Sequence, residues 1–216
     1  VLARYRAVLC DLDGCLVSGE TALPGAPTFA EQAGGRMMVL SNNSTDTAAS
    51  LSARLARGGL ALAPERIVLA GVAAIESVAR RVPGARVFVC GSGATVGYAF
   101  ECELQPDEIA PQYVILTRDA GFTYGRLQAV LGYLKRGAGL VVANADATHP
   151  GVDGVPVPET GALLAAVSEC LPEQGFELIG KPEPALFHMA LDRLEQIRLI
   201  PGHIRPPRNS FGIPRR

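Results

Sequence analysis

A chain of 216 residues, 48% of them hydrophobic, is long enough to bury the core of one sizeable domain or of a domain with an insertion. Its formal net charge of −1 gives no electrostatic reason to expect nucleic acid or an anionic membrane as partner, and no apolar run approaches the roughly 20 residues that cross a bilayer. Cys10, Cys15, Cys90, Cys102 and Cys170 are odd in number and lack Cys-x-x-Cys spacing, which argues against a disulfide framework or structural zinc. The first residues carry no cleavage-site pattern, so the expected location is the cytoplasm.

In chain order, the first informative stretch is residues 7–16, where an apolar run ends abruptly in Asp11, Leu12, Asp13 and Gly14. This reads as a buried strand delivering two carboxylates to its own C-terminal tip, the place where open α/β sheets bind ligands. Adjacent hard oxygen donors suit magnesium better than zinc, although two solvated acids in a turn would read the same way. A thiol nucleophile at Cys10 or Cys15 would need a base beside it, and the sequence supplies none.

Residues 18–27 read as a loop, followed by a short helix. A second apolar run, residues 36–40, ends in Ser41, Asn42, Asn43, Ser44 and Thr45. Small polar donors at a strand end hold phosphate oxygens, or simply cap the next helix. That helix, opened by Thr45 or Asp46, carries Ala48, Leu51 and Leu55 as its apolar stripe and stops at Gly58-Gly59; a third strand covers residues 66–71.

From about residue 83 the rhythm continues with strands at 86–90, 113–116 and 140–143. Gly91-Ser92-Gly93-Ala94 lacks the lysine of a phosphate loop and the third glycine of a dinucleotide fingerprint, so it reads as a strand-to-helix turn. A helix over 123–136 is predicted to bury Leu127, Val130, Leu131 and Leu134, and another over 160–171 to bury Leu163, Ala166, Val167 and Cys170. Asn144 and Asp146 at a strand end fit either a ligand-facing position or an Asx-turn.

The third chemical stretch, 176–184, is a short strand, then Gly180, Lys181 and a helix opened by Pro184. A lysine there can neutralise an aspartate and a phosphate together. The helix is predicted to bury Phe187, Ala190, Leu191 and Leu194 and to leave His188 in solvent. Neither His149 nor His203 has a visible catalytic partner in the sequence.

Asp11-Leu12-Asp13-Gly14, Ser41-Asn42-Asn43 and Gly180-Lys181-Pro182, in that order, resemble the motifs of the haloacid dehalogenase (HAD) superfamily of phosphotransferases. Residues 122–124, 137–146 and 160–163 resemble the C2-type cap (subfamily IIA) of its NagD-type and 4-nitrophenylphosphatase-like branch. The resemblance covers roughly residues 5–194. It implies an α/β fold: a Rossmann-like, doubly wound parallel sheet core formed by 1–82 and 178–195, with an inserted α/β cap over 83–177. The activity it implies is Mg²⁺-dependent hydrolysis of small phosphate monoesters through an aspartyl-phosphate. Asp11 would be the nucleophile, Asp13 the acid and base, Ser41 a phosphoryl ligand and Lys181 the charge balance. Asp11 and Asp13 would hold the metal; Gly14, Asn42, Asn43, Asn144 and Asp146 would bind substrate. The implied partners are a small phosphorylated metabolite and a second copy of the chain paired through the cap.

Two features depart from this pattern. Thr117-Arg118-Asp119 stands where small residues are usual, and Glu159 precedes Thr160 where a glycine or small residue is common, so the resemblance does not supply the substrate. Residues 196–216 hold five arginines, four prolines and no acid where the family carries a Gly-Asp motif that completes its metal site. The expectation is of a core whose C-terminal part is missing or replaced, through a shifted or cut reading frame or through a variant in which Glu183 or water completes the shell. Either account leaves the first strand with an unpaired neighbour position. The incomplete motif also supports an alternative: an inactive member of the fold that binds a phosphorylated ligand or a partner.

Overall fold

The computed structural model describes residues 4–151 and 154–199. The first half runs β1 (Val8–Asp11), β2 (Val17–Ser18), β3 (Thr21–Ala22), α1 (Ala26–Ala33), β4 (Met37–Ser41), α2 (Ala48–Arg57), β5 (Ile67–Leu69) and α3 (Ala70–Arg81). It continues with β6 (Arg86–Cys90), α4 (Gly93–Glu101), β7 (Gln105–Pro106), β8 (Tyr113–Leu116) and α5 (Tyr124–Lys135). The last elements are β9 (Gly139–Val142), β10 (Thr148–Pro150), β11 (Pro156–Pro158), α6 (Thr160–Cys170), β12 (Glu177–Leu178) and α7 (Pro184–Leu199).

The strands make two parallel sheets, ordered β1-β4-β5 and β12-β9-β8-β6-β7, plus the antiparallel pairs β2–β3 and β10–β11. A parallel sheet covered on both faces needs apolar side chains at every position, and β4 is buried along its whole length. Alternation divides those side chains: Met38 and Leu40 join Val68 in one cluster, whereas Met37 and Val39 join Ile67, Leu69 and the α2 residues Leu51 and Leu55 in another. The five-stranded sheet does the same. Val87, Val89, Ile115 and Val141 enter the first cluster, and Phe88, Val114, Leu116 and Val142 pack under α5 and α6. One core, filled by α3 and α7, therefore lies between the two sheets.

Several details differ from the sequence reading. β1 bonds only β4 among the described residues, and Leu9 is 36% exposed, so the first strand is a half-covered edge rather than a buried strand. The third strand ends at Leu69, where the chain passes directly into α3 without a side-chain cap, so no start signal marked that helix. Cys170 is exposed and Leu164 takes its place in the core, because the buried face of α6 is centred on Leu164 and Val167. On α7 the buried stripe is Leu186, Met189, Ala190, Leu194 and Ile197, and Leu191 is 40% exposed. That helix continues through Gln196–Leu199, residues assigned from sequence to the atypical tail; 200–216, with His203, lie outside the described residues. β12 pairs with β9 in the larger sheet, so a boundary at 178 cuts through a strand. Among the described residues no helix is long and apolar enough to cross a membrane.

The α7 assignment is open to direct test. Leu194→Ala is expected to lower unfolding free energy by about 2–5 kcal/mol in urea titration, and Leu191→Ala by no more than about 1 kcal/mol.

Candidate active site

Parallel pairing of β1 with β4 sets Asp11 opposite Leu40, so the two strands end side by side. Beyond the strand Leu12 is buried, and its carbonyl accepts from the amides of Leu16 and Val17. With Leu12 held in the core, alternation turns Asp11 and Asp13 outward on either side of it, and both line one cavity. Gly14 makes the tight turn possible: its φ is +74°, a conformation costly for any residue with a Cβ, and its amide donates to the Val17 carbonyl.

Ser41 ends β4 almost fully buried, its hydroxyl 3.3 Å from Asp13 Oδ2 and accepting from the Asn43 amide at 3.1 Å. The Lys181 ammonium reaches Asp11 Oδ1 at 2.5 Å. The backbone on either side of Lys181 is tightly held. Asn42 Oδ1 accepts from the Lys181 amide at 2.8 Å and Asn42 Nδ2 donates to its carbonyl at 3.2 Å. Gly180 must be a glycine, since a Cβ there would lie 2.5 Å from the Ala143 carbonyl oxygen and 2.7 Å from Asn42 Oδ1. Asp11, Asp13, Ser41 and Lys181 are thus brought to one cavity of about 890 Å³.

The amides proposed from sequence as substrate ligands are largely committed elsewhere. Asn42 is occupied by Lys181 and by Asp146 Oδ2. Asn43 accepts from the amides of Thr45 and Asp46 and donates to Asp46 Oδ2, closing the turn that precedes α2. Asn144 does not line the cavity: it is 1% exposed, and its amide faces the Asn42 carbonyl, Ser44 Oγ and Thr160 Oγ1. Its Oδ1 accepts from the Asp146 amide, which is the Asx-turn. Asp146 and Gly14 do line the cavity. Glu183 is exposed and lies outside it.

The sequence reading passed over a further group of cavity-lining residues as a ligand site. These are Arg118, His149 and Glu159, with His149 Nδ1 2.7 Å from Glu159 Oε1 and Arg118 Nε 3.5 Å from the same oxygen. His149 therefore has the partner that the sequence did not reveal. The only advance signal was the unusual chemistry of Arg118 and Glu159 at their positions. Among the thiols, burial and then the charges around it push Cys10 upward, which keeps it protonated near neutrality and unsuited to attack.

The donors that could hold a metal are hard oxygens: two carboxylates and nearby carbonyls. Among the described residues no cluster of three or more His, Cys, Asp or Glu is placed to bind an ion. Magnesium commonly binds through one or two carboxylates plus substrate phosphate and water, so the residues present fit it in kind.

Residues 8–105 match the family described as haloacid dehalogenase-like hydrolase. Human chronophin is 33% identical over 211 residues, spanning 87% of this chain and 69% of chronophin. Ribonucleotide monophosphatase NagD of Escherichia coli K12 is 25% identical over 88% of this chain and 75% of NagD. The structure of a glycerol phosphate phosphatase from Mycobacterium tuberculosis in complex with magnesium superposes with a TM-score of 0.83 at 27% identity, covering 90% of this chain and 60% of that one.

Asn144→Leu keeps the size of the buried amide while leaving the Asn42 carbonyl, Ser44 and Thr160 short of a partner. It is expected to cost about 2–3 kcal/mol in chemical denaturation, a loss that Asn144→Asp, which also places a charge there, does not recover.

Proposed function

The chain belongs to the haloacid dehalogenase-like hydrolases, in their NagD-like branch, and from that premise we propose that it hydrolyses small phosphate monoesters through an aspartyl-phosphate. The carrying observation is the meeting of Asp11, Asp13, Ser41 and Lys181 in one cavity, with the Lys181 ammonium 2.5 Å from Asp11 Oδ1. Phosphoryl transfer asks for in-line positioning and charge neutralisation more than for a strong base, and these four groups supply both.

Asp11 Oδ1 takes the hydrogen bonds from the Leu12 amide and from Lys181, which leaves Oδ2 to attack phosphorus. Asp13, in its protonated form, gives its proton to the departing alkoxide, so the ester P–O bond breaks as the Asp11–phosphorus bond forms. The carboxylate left on Asp13 then takes a proton from water, whose oxygen bonds phosphorus as the phosphorus–Asp11 bond breaks, which releases phosphate and restores the Asp11 carboxylate. Ser41 donates to a phosphoryl oxygen, and Lys181 offsets the charge that Asp11 and the phosphate share. Magnesium, when bound, adds charge neutralisation at the phosphoryl oxygens, and the Asp11 carboxylate and the Asp13 carbonyl are the groups that would hold it.

In the same reading, residues 1–82 and the chain after β12 serve as core, and the inserted segment from 83 through β12 serves as cap. The exposed Ile109 and Tyr124 belong to that cap and are available to a second copy. The five free thiols suit a cytoplasmic setting. A metal set of the Asp11 carboxylate and the Asp13 carbonyl, with no cluster of three acids beside it among the described residues, favours one second reading, a phosphate-ester binder without turnover.

With phenyl phosphate and Mg²⁺, release of inorganic phosphate is expected, with loss of activity on chelation. Asp11→Asn is expected to lower kcat by about 10⁴-fold or more. Turnover that survives this substitution rejects the aspartyl nucleophile, whereas calorimetric binding of esters without product supports the second reading.

A further inference from the structure

The cavity is far larger than a phosphoryl group, and its remaining lining must receive the rest of the ester. Three features of that lining bear on what it receives. First, none of the described lining residues is Phe, Tyr or Trp, and the one imidazole there, His149, is tied to Glu159, so little aromatic surface is offered for a base or pyridine ring to stack on. Second, five of the lining side chains are acids and three are Lys or Arg, a balance that disfavours a second strongly anionic group. Third, Arg118 is anchored at both ends: its amide donates to Ser44 Oγ at 3.0 Å, and its Nε pairs with Glu159.

That anchoring uses one edge of the guanidinium. The two terminal Nη groups have no partner among the described residues, although the side chain is largely covered. Glu159 is held from its other side by His149 Nδ1, 2.7 Å from the same carboxylate oxygen. Arg118 therefore offers fixed donors to the cavity, a pattern matched by hydroxyl and carbonyl oxygens on a short carbon chain.

We infer that Arg118, oriented by Glu159, is the specificity-determining residue of this site and selects phosphate esters of polyols and sugars over those of aromatic rings. Arg118 touches the substrate's distal oxygens; Glu159 acts through Arg118 as a positioning residue. The inference rests on the phosphatase reading for its chemistry, but its recognition step is separable from turnover.

The test compares ribose 5-phosphate and glycerol 3-phosphate with phenyl phosphate and pyridoxal phosphate. The wild-type chain is expected to favour the first pair in kcat/KM. Arg118→Met is expected to lower the ratio of ribose 5-phosphate to phenyl phosphate kcat/KM by about 10- to 100-fold, Arg118→Lys to restore part of it, and Glu159→Gln to raise KM for the sugar ester more than it lowers kcat. Calorimetry in the Asp11→Asn background supplies a reading independent of turnover: ribose 5-phosphate binds more tightly than phenyl phosphate, and adding Arg118→Met or Arg118→Lys erases or reduces the difference. Sugar-selective binding without turnover in the wild-type chain upholds this inference and removes the phosphatase reading. An aromatic preference in the wild type, or a ratio unchanged by both Arg118 variants in chains that melt at the wild-type temperature, overturns it.

Discussion

The contact between Lys181 and Asp11 joins residues 170 positions apart, and the whole candidate site exists only if that contact forms. It does not hold itself together. The two side chains are 25% and 44% exposed, and a partly solvated ion pair contributes about 1 kcal/mol or less, too little to fold a loop against its entropy. What places the ammonium is the neutral framework behind it: Ile179 and Leu186 fully buried on either side, Gly180 pressed against the Ala143 carbonyl, and both faces of the Lys181 peptide bonded to Asn42. The ion pair is a consequence of the fold, which leaves Lys181 able to share its charge with an arriving anion.

The same framework ties the two sheets to one another. Met38 and Leu40 from the smaller sheet, and Val87, Ile115 and Val141 from the larger, fill one cluster with α3 and α7. Both sheets therefore meet a common packed layer, and the loops at their C-terminal ends are brought to one cleft, as open α/β sheets do with their ligand sites. β1 is the weak point of this plan. It delivers the two acids yet, among the described residues, is bonded on one side only, with Leu9 partly in solvent, so the strand that leads to the chemistry is a half-covered edge.

Much of this was legible in the sequence because the informative chemistry is local. An apolar run ending in Asp11 and Asp13, or in Ser41 and its amides, announces a strand tip wherever it occurs, and Gly180-Lys181 follows the same grammar. Helix faces were legible less well. A stripe drawn through Phe187 and Leu191 on α7 is shifted by part of a turn from the one the core selects, because Leu186, Met189 and Ile197 fit the period equally well. The group of Arg118, His149 and Glu159 was not legible as a partnership at all. Arg118 follows β8, His149 lies in β10 and Glu159 follows β11; only the antiparallel register of the hairpin and the packing of the larger sheet bring them together. Asn144 stayed open between a ligand-facing position and an Asx-turn for a related reason: an amide at a strand end has the same sequence signature whether it faces a ligand or the protein's own backbone.

The division between buried and cavity-facing polar groups has its own physical logic. Among the described residues the buried polar ones are Ser41, Ser44, Thr95, Thr117, Asn144 and Thr160, all neutral, together with Asp119, which is paired with Arg126. A neutral amide or hydroxyl is buried at little cost once its hydrogen bonds are made, and among the described residues no buried side-chain nitrogen or oxygen lacks a partner. A buried charge would cost far more and would fix the potential felt by the substrate. By welding the motif loops with Asn42, Ser44, Asn144 and Thr160, the chain gains rigidity without adding charge, and it keeps Asp11, Asp13, Lys181, Arg118 and Glu159 at the cavity surface. There, their fields act on whatever enters, and a substitution in the neutral layer disturbs placement while one at the surface disturbs recognition or chemistry.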